Sequence, residues 1–242
     1  MKINRWEEYQ SFFQLVILKY LVIWFTIVPV IAGVVTQFPD SIPIEISSVE
    51  YNIQLKMPFY WQVLWLSSLF FVVALGIYKF FCPKFVQKYN NFSEYKSYSN
   101  HPRWLAWEAH KLLKIADDKQ KSKFVKRFKH KDYLEEITDG CGKSICDEPI
   151  VDTKQTYITF MHDNVEYKFG MPILGKENDS ESEKDVFYEI FGRYSESRCF
   201  SRLMIRILLI LSLILFLGVL AQHIYTGFLY FFDWLLNYWH EL

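Results

Sequence analysis

Three long apolar runs alternate with polar and charged stretches along this chain of 242 residues. They cover residues 20–38, 57–80 and 203–226. A membrane-spanning helix needs roughly 20 mostly apolar residues, because the hydrocarbon core is about 30 Å thick and each helical residue rises about 1.5 Å. The pattern therefore predicts an integral membrane, α-helical protein with about three transmembrane helices.

The first apolar run does not resemble a cleavable signal peptide. Glu7 and Glu8 stand where such a peptide carries basic residues, the run is long, and no small-residue cleavage site follows it. We therefore expect the run to remain as a membrane anchor. Four aromatic residues before it are expected in the lipid headgroup layer: Trp6, Tyr9, Phe12 and Phe13.

Basic residues near the ends of the runs predict the orientation, because Lys and Arg are retained on the cytoplasmic side. They are Lys2, Arg5, Lys79, Lys84, Lys88, Arg193, Arg198, Arg202 and Arg206. We expect residues 1–19 and 81–202 in the cytoplasm of a bacterium, and the loop 39–56 and the aromatic tail 227–242 in the periplasm or at its membrane interface. The chain is thus predicted to be a multi-pass protein of the inner membrane.

The net charge is zero, so the total gives no argument for nucleic acid as a partner. The four cysteines, at positions 82, 141, 146 and 199, all fall in the segment predicted to be cytoplasmic. Thiols stay reduced in that compartment, so no structural disulfide is expected.

The middle segment, residues 81–202, is predicted to form a small α+β domain. A helix is expected from near Pro102 to about Phe128, and a second from about Val186, with Gly192 as a candidate position for a break. Between them, TYITFM and VEYKFGM flank a short polar turn and predict a β-hairpin.

A basic run in the first of these helices is the main candidate for binding a partner or lipid. Anionic headgroups attract Lys and Arg near a membrane, so the run is expected either to face the bilayer or to dock on an acidic partner, such as residues 132–152 of another copy. The residues expected to make these contacts are Lys121, Lys123, Lys126 and Arg127.

Gln222 and His223 are the strongly polar pair within the third run. Polar residues inside a membrane often have a functional role, although the aromatic residues that follow also favour a place at the outer interface. Pro29, Gly33, Ser67, Ser68 and Gly76 are predicted to permit a kink and close helix packing within the chain or between copies.

The sequence lacks recognisable enzyme motifs, so neither catalysis nor a cofactor is expected. Gly142-Lys143-Ser144 lacks the earlier glycine of a phosphate-binding loop. Cys141 and Cys146, with a histidine, suggest a metal site, but they lack the short Cys-x-x-Cys spacing. Ordinary reduced cysteines are the preferred interpretation, and no metal is expected.

The layout resembles the three-span inner-membrane immunity proteins that protect bacteria from pore-forming toxins, including colicins and effectors of the type VI secretion system. The resemblance is carried by the spans YLVIWFTIVPVIAGVV, PFYWQVLWLSSLFFVVALGIY and ILLILSLILFLGVLAQ. It implies a membrane interaction protein that neutralises a membrane-inserting toxin. Two alternatives stay open: a membrane-permeabilising effector of bacterial or antiphage defence, gated by a cytosolic signalling partner and acting as a homo-oligomer, and a transporter or channel accessory subunit.

Overall fold

The computed structural model describes residues 4–35, 37–38, 41–46, 49–54, 60–137, 144–175 and 179–240. The chain separates into two compact units. The apolar unit contains Met1–Asn4, Ser11–Phe81 and Phe200–Leu242, and the α+β unit contains Arg5–Gln10 and Cys82–Cys199.

Helices predominate, and they are interrupted by two groups of strands. In chain order the elements are α1 (Trp6–Phe13), α2 (Val16–Val35), β1 (Ser41–Ile46), β2 (Val49–Gln54), α3 (Trp61–Phe81), α4 (Lys84–Lys88), α5 (Phe92–Ser97), α6 (Arg103–Ile115), α7 (Asp118–His130), β3 (Glu135–Ile137), β4 (Ile150–Val151), β5 (Thr156–His162), β6 (Val165–Met171), α8 (Asp179–Glu196) and α9 (Cys199–His240).

Two helices in the described part of the chain are long and apolar enough to cross a membrane: Trp61–Phe81 and Cys199–Leu236. They correspond to the second and third predicted spans. The first predicted span forms most of α2, whose 20 residues reach the required length. The described part of α2 does not establish that this helix crosses a membrane. A crossing by α2, which would bring the number of spans to three, stays a prediction.

Helix α9 is far longer than a single crossing requires. It runs for 42 residues, or roughly 63 Å at the usual rise, about twice the thickness of the hydrocarbon core. It continues unbroken through the boundary predicted between the third span and the tail 227–242. The aromatic tail is therefore helical as far as His240.

Helix α2 packs on α3 within the apolar unit. Ala32 and Ala74 are fully buried, and such small residues allow helices to approach closely. The glycines predicted to serve this purpose do not, because a Cβ at Gly33 or Gly76 would meet no atom within 4 Å. Close packing between copies at these glycines stays a prediction.

The loop predicted at residues 39–56 contains a hairpin. Strands β1 and β2 pair antiparallel, with Ser41 opposite Gln54 and Ile46 opposite Val49. The ladder includes Pro43, which lies opposite Asn52. The Ile and Val residues of the two strands favour this extended conformation.

The α+β unit contains an antiparallel sheet in the order β3-β6-β5-β4. Its centre is the predicted hairpin, which is confirmed: Thr156 pairs with Met171 and His162 with Val165. Asp163 and Asn164 form the turn with φ of 50° and 60°. Positive φ at both central residues is the tight turn whose twist matches that of the strands.

Helix α6 packs on β5 and β6 and also on α8, so it lies at the centre of the α+β unit. Its buried residues include Leu105, Leu112 and Leu113. Helix α7 adds two aromatic side chains to the core, since Phe124 and Phe128 lie against Phe169, with ring centroids 5.9 and 5.0 Å from its own. The sheet therefore has one face covered by helices, as an α+β architecture requires.

Two predicted helix boundaries are wrong. The helix expected from Pro102 to Phe128 is divided into α6 and α7 by extended backbone at Ala116 and Asp117. Gly192 does not break α8, which continues to Glu196, and the break comes where Arg198 has a φ of 50°. A lone glycine lowers helix propensity, but packing on neighbouring elements outweighs that small cost.

The predicted position in the lipid headgroup layer is wrong for two of the four aromatic residues near the N-terminus. Trp6 is fully buried and its Nε1 donates to the Ser197 carbonyl oxygen at 3.0 Å, and Tyr9 is also buried. Neither side chain is available to the headgroup layer. Phe13 packs with Phe71 and Tyr78, whose ring centroids lie 6.1 and 4.8 Å from its own.

Candidate functional site

The predicted basic positions lie on α7, whose apolar residues Phe124, Val125 and Phe128 are buried. Lys123 and Arg127 do not project freely from this helix. The Lys123 Nζ lies 3.2 Å from Glu196 Oε2, and Arg127 Nη1 lies 2.8 Å from Glu189 Oε2. These two cations therefore attach α7 to α8.

The bonds belong to what we call the α7–α8 ion network, formed by Lys123, Arg127, Glu189, Arg193 and Glu196. Arg193 and Glu189 are buried, with Nε and Oε1 3.0 Å apart, and Arg193 Nη1 lies 3.1 Å from Glu196 Oε2. Removing one member of a buried pair leaves an uncompensated charge, which is strongly destabilising. The network therefore stabilises the packing of α7 on α8.

Glu196 is the most informative titrating member of the network. Burial disfavours its ionised form, but the hydrogen bond from Lys123 and the charges of Arg193, Lys123 and Arg5 outweigh that effect, and its pKa is lowered. The carboxylate is therefore ionised throughout the physiological range and remains a partner for the cations of α7 and α8.

Lys121 and Lys126 are the predicted positions that keep an available charge. Within the described ranges, no carboxylate lies within ion-pair distance of either one, and Lys126 is exposed. Lys126 also lines a cavity of about 730 Å³ between α7 and α8, together with His130, Lys131 and Asp185. Docking on lipid or an acidic partner thus stays a prediction for Lys121 and Lys126.

The two residues of the predicted polar pair in α9 have different surroundings. Gln222 is half-buried, and its Oε1 accepts a long hydrogen bond of 3.4 Å from the Tyr60 backbone, just before α3. His223 is exposed. An intramembrane function for this pair stays a prediction, although Gln222 lies against the start of the neighbouring helix.

Ser67 and Ser212 form a polar contact that the sequence analysis missed in part. The Ser67 Oγ donates to the Ser212 carbonyl oxygen at 2.8 Å, and the Ser212 Oγ donates to the Ser67 carbonyl oxygen at 2.9 Å. We call this reciprocal contact the serine clasp. Ser67 was predicted to support packing, whereas a single serine inside the apolar run of α9 offered the only signal for Ser212.

Comparisons with known proteins do not identify this chain. No family model, no curated protein and no solved structure matches it. Evidence for the function of this chain therefore comes from its own residues and their geometry.

The predicted cysteine pair can be followed at one position. Cys141 lies outside the described residues, so its interpretation as an ordinary thiol stays a prediction. Cys146 is buried, and its carbonyl oxygen lies 2.8 Å from His110 Nε2. Among the residues that the structure describes, no three His, Cys, Asp or Glu side chains gather closely enough to hold a metal ion.

A second cavity of about 520 Å³ lies in the α+β unit, and we call it the linker cavity. Its wall combines residues from both chain segments that connect this unit to α3 and α9. They include Pro83, Lys84, Phe85, Lys88, Tyr194 and Arg198. From the sequence, several of these cations indicate only the membrane topology, because only the folded chain brings the two segments together.

Proposed function

We propose that this chain is a membrane interaction protein that neutralises a pore-forming toxin in the bacterial inner membrane. Its apolar helices would pack against the toxin's inserting helices, so that no conducting pore assembles. Specificity would come from helix packing and from polar groups within the membrane.

The observation that carries this proposal is the division of surfaces on α9. The serine clasp holds one side of α9 to α3, while large apolar residues such as Leu213, Leu217 and Leu220 remain exposed. In a bilayer, such a surface contacts lipid tails or another helix. A helix that is already aligned by a polar clasp presents this surface in a fixed orientation, which suits recognition of one partner.

Membrane potential tests the proposal directly. Bacteria producing a pore-forming toxin, taken from a neighbouring gene, would be followed with a voltage-sensitive dye in the presence and absence of this protein. We expect the chain to preserve the potential and Leu213→Ala/Leu217→Ala to lose protection. A matched pair of truncations outside the membrane, Ile150→Ala/Val151→Ala, removes exposed apolar residues of the α+β unit and should protect normally.

A second candidate function is a membrane-permeabilising effector gated by its cytoplasmic domain. The linker cavity favours it, since a ligand held between the segments leading to α3 and α9 would act on both helices. This hypothesis expects the chain alone to depolarise cells when overproduced. Depolarisation without any toxin would therefore overturn the immunity proposal.

A further inference from the structure

The linker cavity is attached to the apolar helices by very short pieces of chain. Helix α3 ends at Phe81, and only Cys82 separates it from Pro83 and Lys84. Arg198 immediately precedes the first residue of α9. Where α3 crosses a bilayer, these covalent connections keep the wall of the cavity close to the bilayer surface. Soluble and membrane-bound molecules can both reach such a position.

The charge of the cavity wall favours an anionic ligand. Four cations contribute to it, namely Lys84, Lys88, Lys111 and Arg198, against the single carboxylate of Glu108. Lys111 is already paired with Glu108 at 2.7 Å. Lys84 and Lys88, the residues next to α3, therefore contribute positive charge to the wall beyond this pair.

Lys88 is held in place by aromatic rings. Its Nζ lies 5.0 Å from the centroid of the Tyr89 ring and 4.8 Å from that of Tyr98. A hydrogen bond with Tyr89 raises the pKa of Lys88, so the ammonium stays charged. A cation positioned between rings loses less conformational freedom on binding a ligand than a freely rotating lysine does.

Tyr95 supplies a second, independent observation at the linker cavity. It lines the cavity and is only 2% exposed, yet its buried hydroxyl has no hydrogen-bond partner among the described residues. Burial raises the pKa of this phenol, so it remains a donor. A buried donor without an acceptor is costly, and a ligand oxygen would satisfy it.

The rim of the cavity has the composition of a membrane interface. Trp104 lines the cavity and is 56% exposed, and Lys84 is exposed beside the end of α3. Amphipathic indole rings and basic side chains both favour the headgroup layer. This combination favours a ligand that approaches from the bilayer.

We propose that the linker cavity binds the anionic phosphate headgroup of a phospholipid, with Lys84 and Lys88 holding the phosphate and Tyr95 available to donate to one of its oxygens. The site needs only that α3 and α9 are anchored in a membrane, and it does not depend on the toxin proposal. Binding in this cavity differs from general electrostatic attraction between basic residues and the membrane surface, because the cavity would select one headgroup.

Native mass spectrometry of the full chain would count bound lipids after purification in detergent with phosphatidylglycerol, phosphatidylcholine or inorganic phosphate. The test variant is Lys84→Gln/Lys88→Gln. The control is Lys154→Gln/Lys184→Gln, which removes two exposed lysines elsewhere in the α+β unit. We expect selective retention of phosphatidylglycerol to weaken roughly 30-fold in the test variant, because each cation near an anionic lipid contributes about fivefold in affinity.

Three results would overturn the proposal. Equal retention by the test and control variants would show unspecific attraction, and equal retention of phosphatidylcholine would show that anionic charge is not recognised. Binding of inorganic phosphate that depends on Lys84 and Lys88, without retention of phosphatidylglycerol, would assign the cavity to a soluble phosphate compound. A further variant, Tyr95→Phe, should weaken lipid retention without lowering stability, because it removes a hydroxyl that has no hydrogen-bond partner among the residues that the structure describes.

Discussion

At the scale of single residues, the serine clasp explains how two apolar helices find a fixed register. Apolar contacts alone do not distinguish a helix neighbour from lipid, since lipid tails are equally apolar. Ser67 and Ser212 are buried, and each Oγ donates to the opposite backbone carbonyl. The two Oγ atoms also lie 3.3 Å apart, so the side chains interact with each other. Ser68, one residue away, donates instead to Trp65 within its own helix at 2.6 Å.

Replacing the two clasp serines with alanine should therefore give a coupled loss of stability. We expect Ser67→Ala and Ser212→Ala to show a coupling free energy of about 1 kcal/mol in a double-mutant cycle, within the range measured for such contacts in membranes. Detergent-induced unfolding of the full chain in bicelles would measure it. The Ser68→Ala/Ser212→Ala cycle serves as control, and coupling of equal size there would contradict the clasp.

Trp6 tests whether the N-terminal helix belongs to the folded α+β unit. Trp6→Phe removes the donor to the Ser197 carbonyl in a fully buried position, so we expect a loss of about 1–3 kcal/mol. Trp104→Phe alters a half-exposed tryptophan and should cost less than ~0.5 kcal/mol. Labelling of the buried Cys146 thiol during urea unfolding reports the opening of this unit, and equal effects of the two substitutions would refute the assignment.

At the scale of elements, the α7–α8 ion network changes the meaning of the basic run. A sequence of clustered lysines predicts a solvated or docking face, but it does not reveal which carboxylates approach from a distant helix. Lys123 and Arg127 proved to bond Glu196 and Glu189 of α8. Two of the four residues predicted to dock on a partner therefore form ion pairs within the protein itself.

Because of this network, the free energy of unfolding of the α+β unit should decrease at acidic pH. The folded-state pKa of Glu196 is lowered from 4.5, so its contribution is fully present above that value and is lost as the pH falls through the lower, folded-state pKa. Because Glu196 is partly exposed, we expect an effect below ~1 kcal/mol. In urea unfolding, Glu196→Gln should weaken this acid dependence, whereas Glu148→Gln, at an exposed position, should not. Identical slopes of unfolding free energy against pH for the two variants would contradict the prediction.

Lys121 and Lys126 now give a cleaner test of docking than the four predicted positions together. Lys121→Glu/Lys126→Glu reverses charge without breaking the bonds of Lys123 and Arg127. We expect protection of membrane potential to fall several-fold while stability is unchanged, since a docking partner loses its attraction. Lys154→Glu/Lys184→Glu is the matched control, and equal activity of the two variants would remove the docking hypothesis.

The elements that local pattern determines were predictable, and those that depend on distant packing were not. The β5–β6 hairpin followed from alternation and the Asp163-Asn164 turn, and α3 and α9 followed from apolar length. The division at Asp117, the burial of Trp6 and the linker cavity all require contacts between distant parts of the sequence. No local signal in one sequence specifies such contacts.

At the scale of the whole molecule, the chain joins a folded α+β unit to helices able to cross a bilayer. Helix α9 exceeds the thickness of the hydrocarbon core, and its first turns carry Arg202 and Arg206, so only part of it needs to lie among lipid tails. Charge asymmetry predicts the α+β unit in the cytoplasm and the end of α9 on the other side. Both proposals for function depend on this topology.

Cysteine accessibility tests the topology most directly. In a variant without native cysteines, Lys154→Cys places a thiol on an exposed loop of the α+β unit, and Asn237→Cys places one near the end of α9. With a membrane-impermeant maleimide on intact spheroplasts, we predict labelling at position 237 and labelling at position 154 only after lysis. The reverse pattern, or release of the chain from membranes by alkaline carbonate, would contradict a membrane-spanning protein with a cytoplasmic α+β unit.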